Sequence, residues 1–288
     1  MAMRWRWLGW LGCSDALLRP YLEKSLILLA PMTPVLYVSH GAPLFALDPG
    51  VSGAALQTFA QSLEARPKAV VIMSPHWMPG SPAVMTGAQP ATLHDFGGFP
   101  DALYQLQYPA PGAPALAAQV IELLALAGIS AQGDAQRPLD HGAWVPLMHL
   151  FADAQVPVLQ IALPQRAGPR EVYAIGAALQ SLREQGVLLV GSGGMTHNLG
   201  EFAGPGVPIA PYVLEFSRWV EARIAQGELE ALWDYRQSAP HALRAHPSED
   251  HFMPLFFALG AGGVGSQAHY LSREVLYGML AMDSFYLQ

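Results

Sequence analysis

The sequence predicts an α/β fold in a single domain, with a mostly parallel central sheet flanked by helices. Three observations carry that expectation. Short apolar runs rich in β-branched residues alternate with segments of helical period, the pattern of βαβ units. Hydrophobic residues make up 52% of the 288 and charged residues only 13%, so much of the chain has to be buried. Residues 32–288 contain no internal repeat, low-complexity tract or linker, which fits one domain.

In chain order, residues 35–38 read as a buried strand that stops at His40, where Gly41 and Pro43 prevent its continuation. Residues 54–65 read as the first crossover helix. Residues 69–74 form the second strand, with His76 just beyond its end, and residues 83–86 a further short one. A long polar, glycine-rich segment follows at 93–100, with 103–109 beyond it; a loop of that length inside a domain is usually functional. Residues 113–126 have the spacing of an amphipathic helix stopped at Gly128, and 139–142 open another that runs to about Phe151. Residues 156–163 read as a buried strand and 170–185 as a helix ended by Gly186. Residues 187–190 are again a strand, running into a tight turn at Gly191–Gly194 that presents His197. Residues 212–225 and 229–238 read as helices. Residues 247–250 read as a helix start with acids in its first turn, His251 in that turn, and continuation to Leu259. Alternating aromatics in the tail point to one or two edge strands.

Composition narrows the function. The net charge is −7, the pI is near 5.8, and no lysine- or arginine-rich block is present, which argues against nucleic acid or an anionic membrane as partner. A single cysteine, Cys13, excludes an internal disulfide, a multi-cysteine zinc site and iron–sulfur chemistry, so any metal has to be bound through nitrogen and oxygen. A reducing cytoplasm fits that usage. Residues 1–31 loosely resemble a secretory signal, with Arg4, Arg6, three tryptophans and an apolar run, but Asp15, Arg19, Glu23 and Lys24 interrupt it. The run is also too broken for a membrane span. With Met32 just ahead of the first strand, residues 1–31 read as an N-terminal extension outside the fold, and 32–288 as the folded domain.

The chain has ten histidines in different settings. His40, His76 and His197 follow apolar strands, His251 sits at a helix start, His141 in an Asp-His-Gly turn, and His94 in the glycine-rich loop. A lone histidine of this kind is more often structural than a ligand. Several at the carboxyl ends of strands in one sheet point instead to a metal, because open α/β sheets place their ligands there and imidazole is the commonest metal ligand. No pair forms a compact local metal motif.

The strings Ser-His-Gly-Ala-Pro, Ser-Pro-His-Trp, His-Asp-Phe-Gly-Gly-Phe-Pro, Tyr-Pro-Ala-Pro-Gly, Leu-Asp-His-Gly-Ala-Trp, Thr-His-Asn-Leu and Glu-Asp-His-Phe-Met-Pro-Leu occur in that order. Together they resemble the 4,5-DOPA extradiol dioxygenase family, a branch of the class III, LigB-like ring-cleaving dioxygenases, from about Pro34 to the end. The resemblance implies a LigB-like domain with His40, His76 and His251 as metal ligands, with Glu249 and Asp250 as rivals of His251 for the third position. It implies His197 as a further ligand or as the acid/base, and His141 as a pocket histidine that binds substrate or moves protons. His94 and Tyr104 are candidates to line the substrate pocket, and Gly191–Gly194 lacks the lysine and spacing of a P-loop.

The reaction implied is insertion of both atoms of O2 into a catechol ring beside the diol, with DOPA or a related catechol as substrate and a muconic semialdehyde as product. Non-heme Fe(II) is the cofactor expected for activity, and Zn(II) is able to occupy the same site. The partners expected are a small catechol and O2, in a monomer or homodimer. A zinc-dependent hydrolase-type enzyme is one alternative, and a non-catalytic LigB-like interaction protein another. The joint presence of His40, His76, His197 and His251 disfavours the latter.

Overall fold

The structure, a computed structural model, describes residues 32–288; the readings made for residues 1–31, Cys13 included, lie outside them. Ten strands are defined: β1 Val35–Ser39, β2 Ala69–Ser74, β3 Ala83–Met85, β4 Gln132–Asp134, β5 Val158–Ala162, β6 Val187–Gly193, β7 Ala268–Ser272, β8 Val275–Leu276, β9 Leu280–Ala281 and β10 Ser284–Leu287. Eight of them form one sheet in the order β4-β3-β5-β2-β6-β1-β10-β7, and β8 and β9 make a separate ribbon. The four central strands β5, β2, β6 and β1 pair in parallel. The sheet is therefore mostly parallel at its centre, as expected, with antiparallel additions at its margins.

The central strands are apolar on both sides because both faces are covered. Val35 and Tyr37 of β1 point into one core with Phe216, Phe252, Phe256 and Val172; Leu36 and Val38 point into the other with Leu56, Trp144 and Leu147. Helices Gly50–Ser62 and His141–Leu150 thus cover one face, and helices Pro169–Ala178, Pro211–Gln226 and Met253–Gly262 the other. Among the described residues no helix is long and apolar enough to cross a membrane.

Several boundaries differ from the sequence reading, each for a local reason. Residues 191–193 are not a turn: β6 runs through them to Gly193. A Cβ at Gly191 would lie 2.1 Å from the Pro254 carbonyl oxygen, and one at Gly193 2.3 Å from that of His251. These glycines let helix Met253–Gly262 lie directly on the strand. The helix expected from residue 247 begins only at Met253, with Pro254 in its first turn. His251 stays outside it, in a turn closed by the Phe252 N–H on the Glu249 carbonyl, and its own carbonyl accepts from Gly194 N–H at 2.8 Å. The span 170–185 divides into helix Pro169–Ala178 and a 3-10 segment Gln180–Gln185, and 229–238 breaks at Asp234. The first crossover helix starts earlier than expected, at Gly50. In the tail β7 is an edge strand, whereas β10 lies inside the sheet between β1 and β7.

Register matters most for the site. Ser39 of β1 pairs with Gly193 of β6, and Met73 of β2 with Gly191, so three adjacent parallel strands end at one edge. Substituting Gly191→Ala forces a Cβ into backbone that has no side chain to move aside. A loss of about 1–3 kcal/mol or more is expected, read as a lower denaturation midpoint. Gly80→Ala, with nothing within 4 Å of the new Cβ, should stay within about 0.5 kcal/mol of wild type.

Candidate metal centre

Three imidazoles converge where those strands end. His40 follows β1 directly, His76 lies two residues past β2, and His251 reaches in from the turn before helix Met253–Gly262, which packs on β6. One ligand atom from each lies within 4.8 Å of the others, and Nε2 of His76 is 3.2 Å from Nε2 of His40. The His40 ring is buried and those of His76 and His251 nearly so.

The partners of the second nitrogens decide what these rings offer. The Ser192 hydroxyl donates to the Gly142 carbonyl, so towards His40 Nδ1, at 3.0 Å, it acts as acceptor. His40 therefore carries its proton on Nδ1 and presents a lone pair at Nε2. His251 Nδ1 donates to the Asp250 carboxylate at 2.5 Å, with the same result. His76 Nδ1 faces an oxygen of Asp95 at 3.7 Å. Nitrogens turned towards one another, with the far-side N–H of His40 and His251 held by an acceptor, form a donor set suited to a divalent transition metal.

Electrostatics agree. Burial, and then the neighbouring imidazoles, push His40 well below its ordinary value and His76 to about 2; the same causes take His197 to about 3. These rings stay neutral at physiological pH, as metal ligation requires. Burial works to raise Asp95 and Asp250, but the hydrogen bonds they accept from His141 and His251 outweigh it. Asp95 comes to about 2 and Asp250 falls well below the usual carboxylate range.

Around this trio stand the other candidates. His141 is the first residue of helix His141–Leu150, whose N-cap Asp140 accepts from Ala143 N–H at 3.2 Å and is braced by Arg137 at 2.6 Å. Gly142 brings that helix end against the ligands, since a Cβ there would meet Ser74 Oγ at 2.3 Å and His76 Cδ2 at 2.8 Å. The His141 ring lies 4.0 Å from that of His76, centre to centre, and its Nδ1 donates to Asp95 at 2.9 Å. His197 stacks flat on His251, with ring centres 3.5 Å apart. Its strap is tied down by Met195 N–H on Ser39 Oγ, His197 N–H on the Ala245 carbonyl, and His246 Nε2 on the Met195 carbonyl.

His94 and Tyr104 stand one layer back. His94 Nε2 donates to the Leu106 carbonyl at 2.9 Å, and Tyr104 Oη accepts from Phe99 N–H at 3.3 Å. Both flank Phe96, whose ring meets His141 edge-on at 5.6 Å. The sequence reading missed Phe96 and Ser192, and gave Asp95 no part in holding His141. Asp95 carried a signal in its place directly after His94, whereas Ser192 looks like any small strand residue.

Residues 34–281 match the profile of the catalytic LigB subunit of aromatic ring-opening dioxygenase. The chain belongs to the LigB family. Similar LigB proteins include a 4,5-DOPA dioxygenase extradiol of Beta vulgaris, 36% identical over 252 residues that cover 86% of this chain and 94% of that one. Another, from Escherichia coli K12, bears the same name and is 35% identical over 83% of this chain and 89% of its own. A crystal structure of an uncharacterized protein from Escherichia coli K12 superposes with a TM-score of 0.73 at 28% identity, over 89% of this chain and all of that one. LigB dioxygenases are metal-dependent, and the His/Asp cluster is a possible metal site in this member.

Ser192→Ala removes the acceptor for His40 Nδ1–H and should weaken zinc or iron affinity about 10–100-fold, measured by competition with a chelating dye. The acid response has a defined sign. His246, fully buried, titrates near 3 in the fold against an ordinary value of 6.5. Between those values the unfolded chain binds the proton that the buried His246 refuses, so this residue's contribution to stability falls as pH drops below about 6.5. Together with His40, His76 and His197 it outweighs the opposite effect of Asp283, which burial pushes up to about 7. Denaturant midpoints of the metal-free protein should decline from pH 7.5 to pH 5, and His246→Gln should flatten part of that decline.

Proposed function

We propose that the chain is an Fe(II)-dependent extradiol dioxygenase that opens a catechol beside its diol, with DOPA or a closely related catechol as substrate. The observation that carries this reading is the convergence of His40, His76 and His251 with two further imidazoles, His141 and His197, beside them. The names of the Beta vulgaris and Escherichia coli relatives support the choice of DOPA.

His40, His76 and His251 would hold the metal through the nitrogens they turn towards one another. A site made of three protein nitrogens would leave the ion open to small ligands. A ferrous ion there would supply a centre that makes the catechol easier to deprotonate and brings it together with O2. Zn(II) fits the same nitrogens but lacks redox chemistry, so a zinc-filled site binds without turning over.

The remaining work falls to side chains. His141 receives the proton of the incoming hydroxyl. His197 serves as the acid/base of ring expansion and lactone opening, rather than as a fourth ligand, because its nitrogens are not in the converging trio. Phe96 walls the pocket against the catechol ring, and His94 and Tyr104 serve substrate binding by bracing Phe96. The product is a muconic semialdehyde, and a cytoplasmic setting completes the proposal, in keeping with the lone Cys13.

Anaerobic loading with ferrous iron, then DOPA in air, should give growing visible absorbance. His40→Ala and His251→Ala should lose both bound metal and colour. His197→Ala should keep the metal yet lose about 100-fold or more in kcat. Turnover near wild type in His197→Ala would remove its acid/base role, and absence of colour with every catechol tried would remove the function itself.

A further inference from the structure

A single carboxylate joins the metal trio to the pocket histidine. Asp95 Oδ1 accepts from His141 Nδ1–H at 2.9 Å and from the His141 backbone N–H at 3.0 Å, while its Oδ2 lies 3.7 Å from His76 Nδ1. Its place is set from both sides: Leu93 N–H bonds the Leu139 carbonyl, Trp144 Nε1 bonds the Leu93 carbonyl, and His94 Nε2 bonds that of Leu106. The loop is thereby latched to the segment that begins helix His141–Leu150.

His141 needs such a partner more than most histidines do. It occupies the first position of a ten-residue helix, where the backbone N–H groups and the macrodipole disfavour a cation. A metal ion on His76 would add a second positive charge beside a ring whose centre is 4.0 Å away. Among the described residues, Asp95 is the carboxylate that pairs with this ring.

We propose that Asp95 is a positioning residue that acts through His141. It commits the His141 proton to Nδ1, leaves Nε2 as the acceptor facing substrate, and balances the imidazolium formed when that acceptor is used. The step is a single proton transfer: the hydroxyl O–H of the bound catechol breaks, the Nε2–H bond forms, and the electron pair stays on the catechol oxygen. This inference rests on the proton-receiving role given to His141 above.

The test combines activity with a direct view of the ring. In zinc-loaded protein with 15N-labelled histidine, the wild-type His141 should show the Nδ1–H tautomer, and Asp95→Ala should shift it to the Nε2–H form or a mixture. In iron-loaded protein at saturating metal, Asp95→Ala should keep one metal per chain, lose about 100-fold in kcat/KM, and cost nothing more in a His141→Gln background. Asp95→Asn is the second variant should alanine unlatch the loop: it keeps an acceptor for both N–H groups but not the charge, and should still lose at least about tenfold. An unchanged tautomer in Asp95→Ala, an equal loss in the His141→Gln background, or loss of the one bound metal would overturn the proposal. If wild-type protein opens no catechol, the function fails, while the tautomer measurement still decides what Asp95 does.

Discussion

The site depends on keeping buried imidazoles neutral with their Nε2 lone pairs turned towards one another. That arrangement is unfavourable for polar groups away from water unless each remaining N–H has an acceptor and the lone pairs have a cation. Ser192, Asp250 and Asp95 stand opposite the far nitrogens of His40, His251 and His76. Because Ser192 has already given its own hydrogen to Gly142, the tautomer of His40 is fixed by a bond that does not touch His40. A mutation at Ser192 or Asp250 acts on the metal through a ring it leaves in place.

The fold supplies the closeness this needs, and it does so largely by omitting side chains. Strands β1, β6 and β2 end in register, which brings His40 and His76 to one edge. His251 joins them because Gly191 and Gly193 let the backbone around residues 251–254 sit on β6, and His141 arrives because Gly142 allows its helix end to touch Ser74 and His76. On the far side of helix Met253–Gly262, Gly176 and Gly260 let two helices cross at backbone contact. Rigid elements packed this tightly place a metal-binding group more firmly than a loop would.

What was legible in the sequence was the part governed by short-range pattern. β1 and β2, the histidines after them, and helix Pro114–Leu126 follow from local periodicity and breakers, and the structure has them within a residue or two. The errors came where long-range contact overrides local preference. Gly191–Gly193 has the composition of a turn, yet it is strand because a helix backbone covers it. Residues 247–250 have the acids of a helix start, yet the His251 carbonyl is spent on Gly194 and the helix waits for Met253. Ser192 could not be found at all from sequence, since its value lies in facing His40, 152 positions away.

The most direct test is X-ray absorption at the zinc edge on fully loaded protein, which reads the ligand atoms without any assumption about turnover. A trio of imidazoles requires at least three histidine nitrogens at about 2.0–2.1 Å, with that signature lost in His40→Ala. A shell holding fewer than three histidines, with a carboxylate from Glu249, Asp250 or Asp95 in the vacated position, would contradict it.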